Sequence, residues 1–223
     1  MFVIVVHDKT LSKAAEISLH VFKQGVETMK KIIVGLLLSL SYMIASTASA
    51  HDGSGIAGGF FSGFMHPILG WDHVAAMVAV GLWGAFLGSS AVWILPVVFP
   101  MVMAFGGALG VLGIPIPAVE TGIAASAVVL GGMVAFAQRP PLWIASIIVG
   151  AFAIFHGHAH GTELPDAANP LAYSFGFVIS TGLLHASGVM FGLLTRWPSG
   201  KTVVRTGGGI IALAGLGFLT GLV

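Results

Sequence analysis

Two short segments of this chain concentrate side chains that bind metal ions. The first, HPILGWDH, runs from His66 to His73 and contains two imidazoles and the carboxylate of Asp72. The second, FHGHAHGTELPD, runs from Phe155 to Asp166 and contains three more histidines. Imidazole and carboxylate ligands suit nickel, cobalt, zinc or copper(II). The chain has no cysteine, so thiolate metal sites and disulfides are excluded.

Helical spacing predicts how the second segment presents its ligands. His156, His160 and Glu163 are separated by four and then three residues, so they share one face of a helix. His158, midway between the two other histidines, points away from that face but remains a candidate ligand. The competing interpretation is a solvated histidine-rich loop that binds metal only adventitiously.

The first segment is predicted to start a helix. Proline is favoured at the first helical position, so Pro67 places His66 at the cap. His66 and His73 are seven residues apart and share a face of a regular helix, with Asp72 about 100° away. Ionisable groups within a membrane segment are costly and tend to mark a transport pathway. The alternative is a histidine cap with an interfacial Asp–His hydrogen bond that fixes the helix end.

Three isolated residues complete the set of candidate ligands. Glu120 begins an apolar segment and is either a further ligand or a carboxylate stabilised by the helix dipole. His185 lies within an apolar segment, where a neutral imidazole either bonds a neighbouring helix or relays metal or protons. His51 becomes a chelating terminus, through its amine and imidazole, if the chain is cleaved after Ala50; the alternative is a terminus without a role.

These residues lie in a chain that is too apolar for an ordinary soluble domain. Hydrophobic residues make up 57% of the chain and charged residues 8%, against about a quarter charged in typical soluble domains. We therefore predict an all-α polytopic membrane protein, a six-transmembrane-helix bundle with the lipid bilayer as one partner. The predicted spans are 66–88, 91–112, 118–137, 141–160, 170–194 and 204–223. No basic cluster indicates nucleic acid, and a homo-oligomer is left open.

The N-terminal region is predicted to be removed from the mature protein. Residues 29–50, MKKIIVGLLLSLSYMIASTASA, combine a basic start, an apolar core and an Ala-Ser-Ala ending. This pattern is typical of a cleavable secretory signal peptide, and an uncleaved membrane helix is the alternative. Residues 1–28 fit poorly in front of it, so Met29 is the expected start. The predicted domains are 1–50, extension and signal peptide, and 51–223, the six-helix membrane domain.

Charge predicts the orientation of the spans. Beyond residue 50 the only basic residues are Arg139, Arg196, Lys201 and Arg205. With the mature N-terminus outside, all four fall in inner loops, as the positive-inside rule requires. The acidic residues and both histidine segments then lie at the outer face. We therefore predict a multi-pass protein of the bacterial inner membrane whose metal entrance faces the periplasm.

With these motifs in place, the sequence resembles the HupE/UreJ family of membrane proteins, which is associated with nickel hydrogenase and urease systems. The family's first-span signature, H-x5-D-H, is matched within residues 66–73, and its fourth-span signature, F-H-G-x-A-H-G-x-E, is matched over residues 155–163. The resemblance covers essentially all of residues 29–223. It implies nickel transport, with cobalt an option in some members, and it gives Glu120 more weight as a polar residue of the pathway.

The predicted function is therefore a permease that imports Ni²⁺ or Co²⁺ as its substrate, without a catalytic cofactor and without enzymatic activity. The same ligands would also accept Zn²⁺ or Cu²⁺. Direct use of ATP by this chain is not expected, because the G-x-x-x-x-G-K-[ST] motif is absent.

Two other functions compete with a permease. An intramembrane zinc hydrolase would use the same ligands to activate water, although H-E-x-x-H is absent. A metal sensor or chaperone would bind at the outer face without conducting. A polar path to the inner face distinguishes a permease from both, and only His185 and small hydroxyls such as Ser126, Ser146 and Ser180 offer one.

Overall fold

The computed structural model describes residues 55–88, 90–163 and 169–222, and over these ranges the regular structure is helical. The helices are α1 (Gly55–Leu69), α2 (Trp71–Leu87), α3 (Ala91–Val111), α4 (Val119–Ala135), α5 (Leu142–Thr162), α6 (Pro170–Gly192) and α7 (Pro198–Thr220), with a 3₁₀ turn at Leu193–Arg196. The all-α prediction is confirmed for this part of the chain. The predicted signal peptide and His51 lie outside the described residues.

The helices differ in their ability to cross a bilayer. Helices α3, α5, α7 and α6 with its 3₁₀ turn are each long and apolar enough to do so alone. Helices α1 and α2 meet the same criterion only as a pair, and this pair is bent by 80°. Helix α4 is apolar but has only 17 residues, fewer than the roughly 20 that a straight crossing needs. The protein is a multi-pass membrane protein, and the count of six spans stays a prediction.

The first span is built differently from the sequence prediction. His66 lies in the last turn of α1 with Pro67 inside that helix, rather than at the cap of a helix over 66–88. The largely apolar residues before His66, which include three phenylalanines, form a helix on the N-terminal side of the proline. The chain then bends at Gly70, whose backbone is extended, and α2 begins at Trp71. The expectation that His66 and His73 share a face of one helix was therefore wrong.

Close backbone contact joins α3 and α5. A Cβ added to Gly157 or Gly161 of α5 would overlap backbone atoms of α3, and one added to Gly106 or Gly110 of α3 would overlap backbone atoms of α5. Helices in lipid associate through such contacts, because apolar burial gives no advantage there. The contact continues to the last turn of α5 and fixes the position of the histidines on that helix.

The opposite end of the bundle carries basic side chains. The guanidinium carbon of Arg139 lies 4.7 Å from the centroid of the Phe86 ring, near the end of α2. Arg205 of α7 donates a hydrogen bond from Nε to the Ala135 carbonyl, at the end of α4, over 2.8 Å. Basic residues and the histidine segments are thus separated along the bundle, as the charge pattern predicts. Which side of the membrane each end faces stays a prediction.

Candidate metal centre

Histidines from three helices meet where α1 ends, α2 begins and α5 ends. The ring centroid of His160 lies 4.8 Å from that of His66 and 4.5 Å from that of His73. The His156 ring lies 4.8 Å from His73 on the other side of this group. The bend at Gly70 allows α1 and α2 to approach α5 from different directions. The two sequence motifs therefore come together in space.

Two groups of three side chains have the spacing of a metal site. We call His73, His156 and His160 the buried triad, and His66, His160 and Glu163 the rim triad; within each, the ligand atoms lie within 4.8 Å of one another. In the rim triad, the side chains of His66 and Glu163 are 30% and 52% exposed. In the buried triad, His73 is 12% exposed and His156 is fully buried. His160 belongs to both triads.

Asp72 orients His73 and is not itself a member of either triad. Its Oδ1 lies 2.8 Å from His73 Nδ1 and also accepts the His73 backbone N–H at 2.8 Å. A carboxylate accepts hydrogen bonds, so the ring proton lies on Nδ1 and the lone pair on Nε2. Nε2 is buried and has no hydrogen-bond partner among the described residues. A carboxylate behind a histidine in this way is a common support for a metal ligand.

Ser126 of α4 plays the corresponding role for His156. Its hydroxyl donates to the Ile123 carbonyl of its own helix, so its oxygen accepts the hydrogen bond from His156 Nε2 at 2.9 Å. The lone pair of His156 is therefore on Nδ1, which is buried and unpartnered within the described ranges. Both histidines are thus held in the tautomer that leaves one nitrogen available to a metal ion.

His160 and His66 complete the two triads. Neither ring nitrogen of His160 has a hydrogen-bond partner in the described part of the chain, and Phe177 packs against this ring at a centroid distance of 4.3 Å. His66 Nε2 lies 3.3 Å from Glu163 Oε2, and the Tyr173 ring lies 5.9 Å from His66. A buried imidazole without partners is costly unless a ligand satisfies it.

Comparison with known proteins agrees with the two motifs. Residues 36–218 match the family model described as HupE / UreJ protein. The chain belongs to the HupE/UreJ family. It is 47% identical over 178 residues to Protein HupE of Rhizobium leguminosarum bv. viciae, an alignment that covers 80% of this chain and 93% of the relative. No solved structure matches this chain at a significant level.

Besides Asp72, three candidate ligands of this HupE/UreJ protein lie outside the triads. His158 is directed away from them, as its spacing predicts, and its Nε2 donates to the Ile114 carbonyl at 2.8 Å. Glu120 is exposed in the first turn of α4. His185 is buried deeper in the bundle, where its ring centroid lies 5.2 Å from that of Phe99.

Sequence reasoning missed the aromatic and hydroxyl side chains around the histidines. On α6, Tyr173, Phe177, Thr181 and His185 recur every four residues and are all buried. This spacing places them on one stripe of the helix and could have identified α6 as a wall of the site. Ser126 was considered only as part of an inner path, because no sequence spacing links it to His156 on another helix.

Proposed function

We propose that this HupE/UreJ protein is a permease that takes up Ni²⁺ or Co²⁺ through the rim triad and then the buried triad. The observation that carries the proposal is the sharing of His160 between a partly exposed triad and a buried one. Because one ligand is common, an ion that moves from the rim to the interior keeps a protein ligand throughout the step. The direction of import follows from the periplasmic orientation predicted by charge.

The rim triad suits capture of a hydrated cation. It combines two imidazoles with Glu163, whose carboxylate is half exposed and adds the negative charge that attracts a divalent ion. The buried triad offers three imidazoles, and no carboxylate of the described residues joins their ligand atoms at this spacing. Nitrogen ligands replace the water that the ion loses on entry, and a pathway needs ligands that bind firmly enough to dehydrate the ion yet release it.

Family membership supports nickel or cobalt as the substrate and an association with hydrogenase or urease systems. The ligand types alone do not favour nickel, since the Irving–Williams order places copper first. Selectivity then depends on geometry and on metal supply in the cell. We place the protein in the bacterial inner membrane, with both triads on the periplasmic side.

The decisive experiment is metal flux into proteoliposomes that contain the purified full chain. Ni²⁺, Co²⁺, Zn²⁺ and Cu²⁺ are tested separately, and uptake of Ni²⁺ or Co²⁺ above protein-free liposomes is the expected result. His160→Ala should abolish the flux, because it removes a ligand from both triads. His158→Gln is the matched control, since glutamine can still donate to the Ile114 carbonyl, and it should transport normally.

Three other results would contradict the proposal. Stoichiometric Ni²⁺ binding without flux for any metal would indicate a sensor or chaperone. Normal flux in His160→Ala, with the variant present in the membrane, would show that the ions follow another route. Retained zinc together with turnover of a lipid or peptide substrate would indicate the hydrolase.

A further inference from the structure

His185 is a buried imidazole that the triads do not use. It lies roughly 22 Å along α6 from Pro170, at 1.5 Å per residue, well past the middle of that helix. Its side chain is 1% exposed, and neither ring nitrogen has a hydrogen-bond partner among the described residues. A neutral imidazole has one donor and one acceptor, and buried groups of this kind are almost always satisfied. The His185 imidazole is therefore available to bind a ligand.

Two hydroxyls one turn before His185 share this property. Ser180 and Thr181 are fully buried, and neither hydroxyl oxygen has a hydrogen-bond partner in the described ranges. Serine and threonine within helices often bond a carbonyl of the preceding turn, as Ser187 does with the Leu184 carbonyl at 2.7 Å. Thr181 lies on the same face of α6 as His185, whereas Ser180 is about 140° away around the helix. These side chains are available to something other than their own helix.

The Phe99 ring connects this region with the buried triad. Its centroid lies 5.4 Å from that of His156 and 5.2 Å from that of His185, and Phe99 itself is fully buried. A single aromatic side chain thus contacts both imidazoles. The Phe99 ring therefore links the two imidazoles, and the face of an aromatic ring attracts cations.

We propose that His185 and Thr181, which share one face of α6, form a second metal site, which we call the deep site and which receives Ni²⁺ or Co²⁺ from the buried triad. This inference rests on the proposed transport function. One imidazole and one neutral hydroxyl make a weaker ligand set than three imidazoles. The ion keeps some of its water there, with the hydroxyl bonding to that water or to the ion directly. A weaker second site gives the ion an intermediate position from which it can be released, so that it is not trapped.

The test measures the kinetics of Ni²⁺ and Co²⁺ uptake into proteoliposomes that contain full-length variants. His185→Gln and Thr181→Val should each lower Vmax, by tenfold or more for His185→Gln and by about threefold for Thr181→Val. Equilibrium binding of Ni²⁺ to the buried triad, measured by dialysis of the detergent-purified protein, should change less than twofold. Ser187→Ala on the same helix is the matched control, since its hydroxyl bonds only its own helix, and it should keep the wild-type Vmax.

The outcomes separate the two proposals. If the wild-type protein moves neither metal, the transport function fails and the deep site fails with it. If the wild type transports and both variants keep Vmax within twofold, the deep site alone is rejected. An equal loss in Ser187→Ala would likewise reject it. Thr181→Val, which nearly preserves volume, decides the matter if His185→Gln does not fold.

Discussion

At the scale of single residues, the metal-binding nitrogens are selected by their hydrogen-bond partners. Asp72 fixes His73 with its lone pair on Nε2, and Ser126 fixes His156 with its lone pair on Nδ1. Such partners commonly change metal affinity by about 10- to 100-fold when they are removed. The sequence predicted Asp72 as a ligand. In the structure the Asp72 carboxylate is instead hydrogen-bonded to the neighbouring His73.

Ser126→Ala tests the support of His156. The substitution removes the acceptor for Nε2–H and frees the ring to rotate or change tautomer, so Ni²⁺ affinity should fall about tenfold. The unpaired buried N–H should also lower the free energy of unfolding by about 1–3 kcal/mol. Equilibrium dialysis and thermal unfolding measure the two effects. Ser187→Ala is the control, and an unchanged dissociation constant in Ser126→Ala would contradict the assigned tautomer.

Asp72→Asn distinguishes an orienting residue from a direct ligand. The amide oxygen can still accept the His73 Nδ1–H, so affinity should fall by about tenfold and by less than in Asp72→Ala. His73→Ala, which deletes a ligand of the buried triad, should have the largest effect of the three. If Asp72→Asn bound Ni²⁺ as weakly as His73→Ala, the carboxylate would be a ligand in its own right.

At the scale of helices, the triads depend on how closely α5 packs against α3. Gly157 and Gly161 alternate with the histidines of α5 and allow the backbones to touch. The stripe of His156, His160 and Glu163 could be predicted from spacing, because α5 remains a regular helix as far as Thr162. The bend at Gly70 was not predicted, although Pro67 and Gly70 are residue types that interrupt helices.

Gly157→Ala tests this dependence. The added Cβ would overlap the Met103 carbonyl on α3, so the helices must separate. Unfolding free energy should fall by about 1–3 kcal/mol, as for other overpacked sites, and Ni²⁺ affinity should fall with it. Gly182→Ala on α6 is the matched control because nothing lies within 4 Å of its Cβ position. Wild-type stability and binding in Gly157→Ala would show that the α3–α5 contact does not set the site.

At the scale of the whole molecule, the helical bundle presents an apolar surface to its surroundings and holds a small group of histidines and hydroxyls within an apolar core. Large side chains such as Trp93, Phe105, Leu171 and Leu213 are well exposed, as a lipid-facing surface requires, whereas the histidines of the buried triad face inward. Composition was sufficient to predict this arrangement. Composition was not sufficient to predict the number of spans, because it does not distinguish the short α4 or the bent α1–α2 pair from straight crossings.

Cysteine labelling tests the orientation of the bundle, and the native chain contributes no cysteine of its own. Pro117→Cys lies before α4, at the end that carries the histidines, and Ser199→Cys lies at the start of α7, at the basic end; both positions are exposed. A membrane-impermeant maleimide should label Pro117→Cys in spheroplasts, in which the outer membrane is no longer a barrier and the inner membrane is intact. It should label Ser199→Cys only after the inner membrane is opened. The reverse labelling pattern would place the triads on the cytoplasmic side of the membrane.

The sharing of one imidazole between the triads limits how the entrance can fill. A neutral histidine has a single lone pair, so His160 can serve one ion at a time, and a second arrival must wait until the first has moved deeper. The rim triad and the buried triad should therefore be occupied by one ion at a time. Uptake should rise with metal concentration along a simple saturating curve without cooperativity, and two metals offered together should compete rather than help each other.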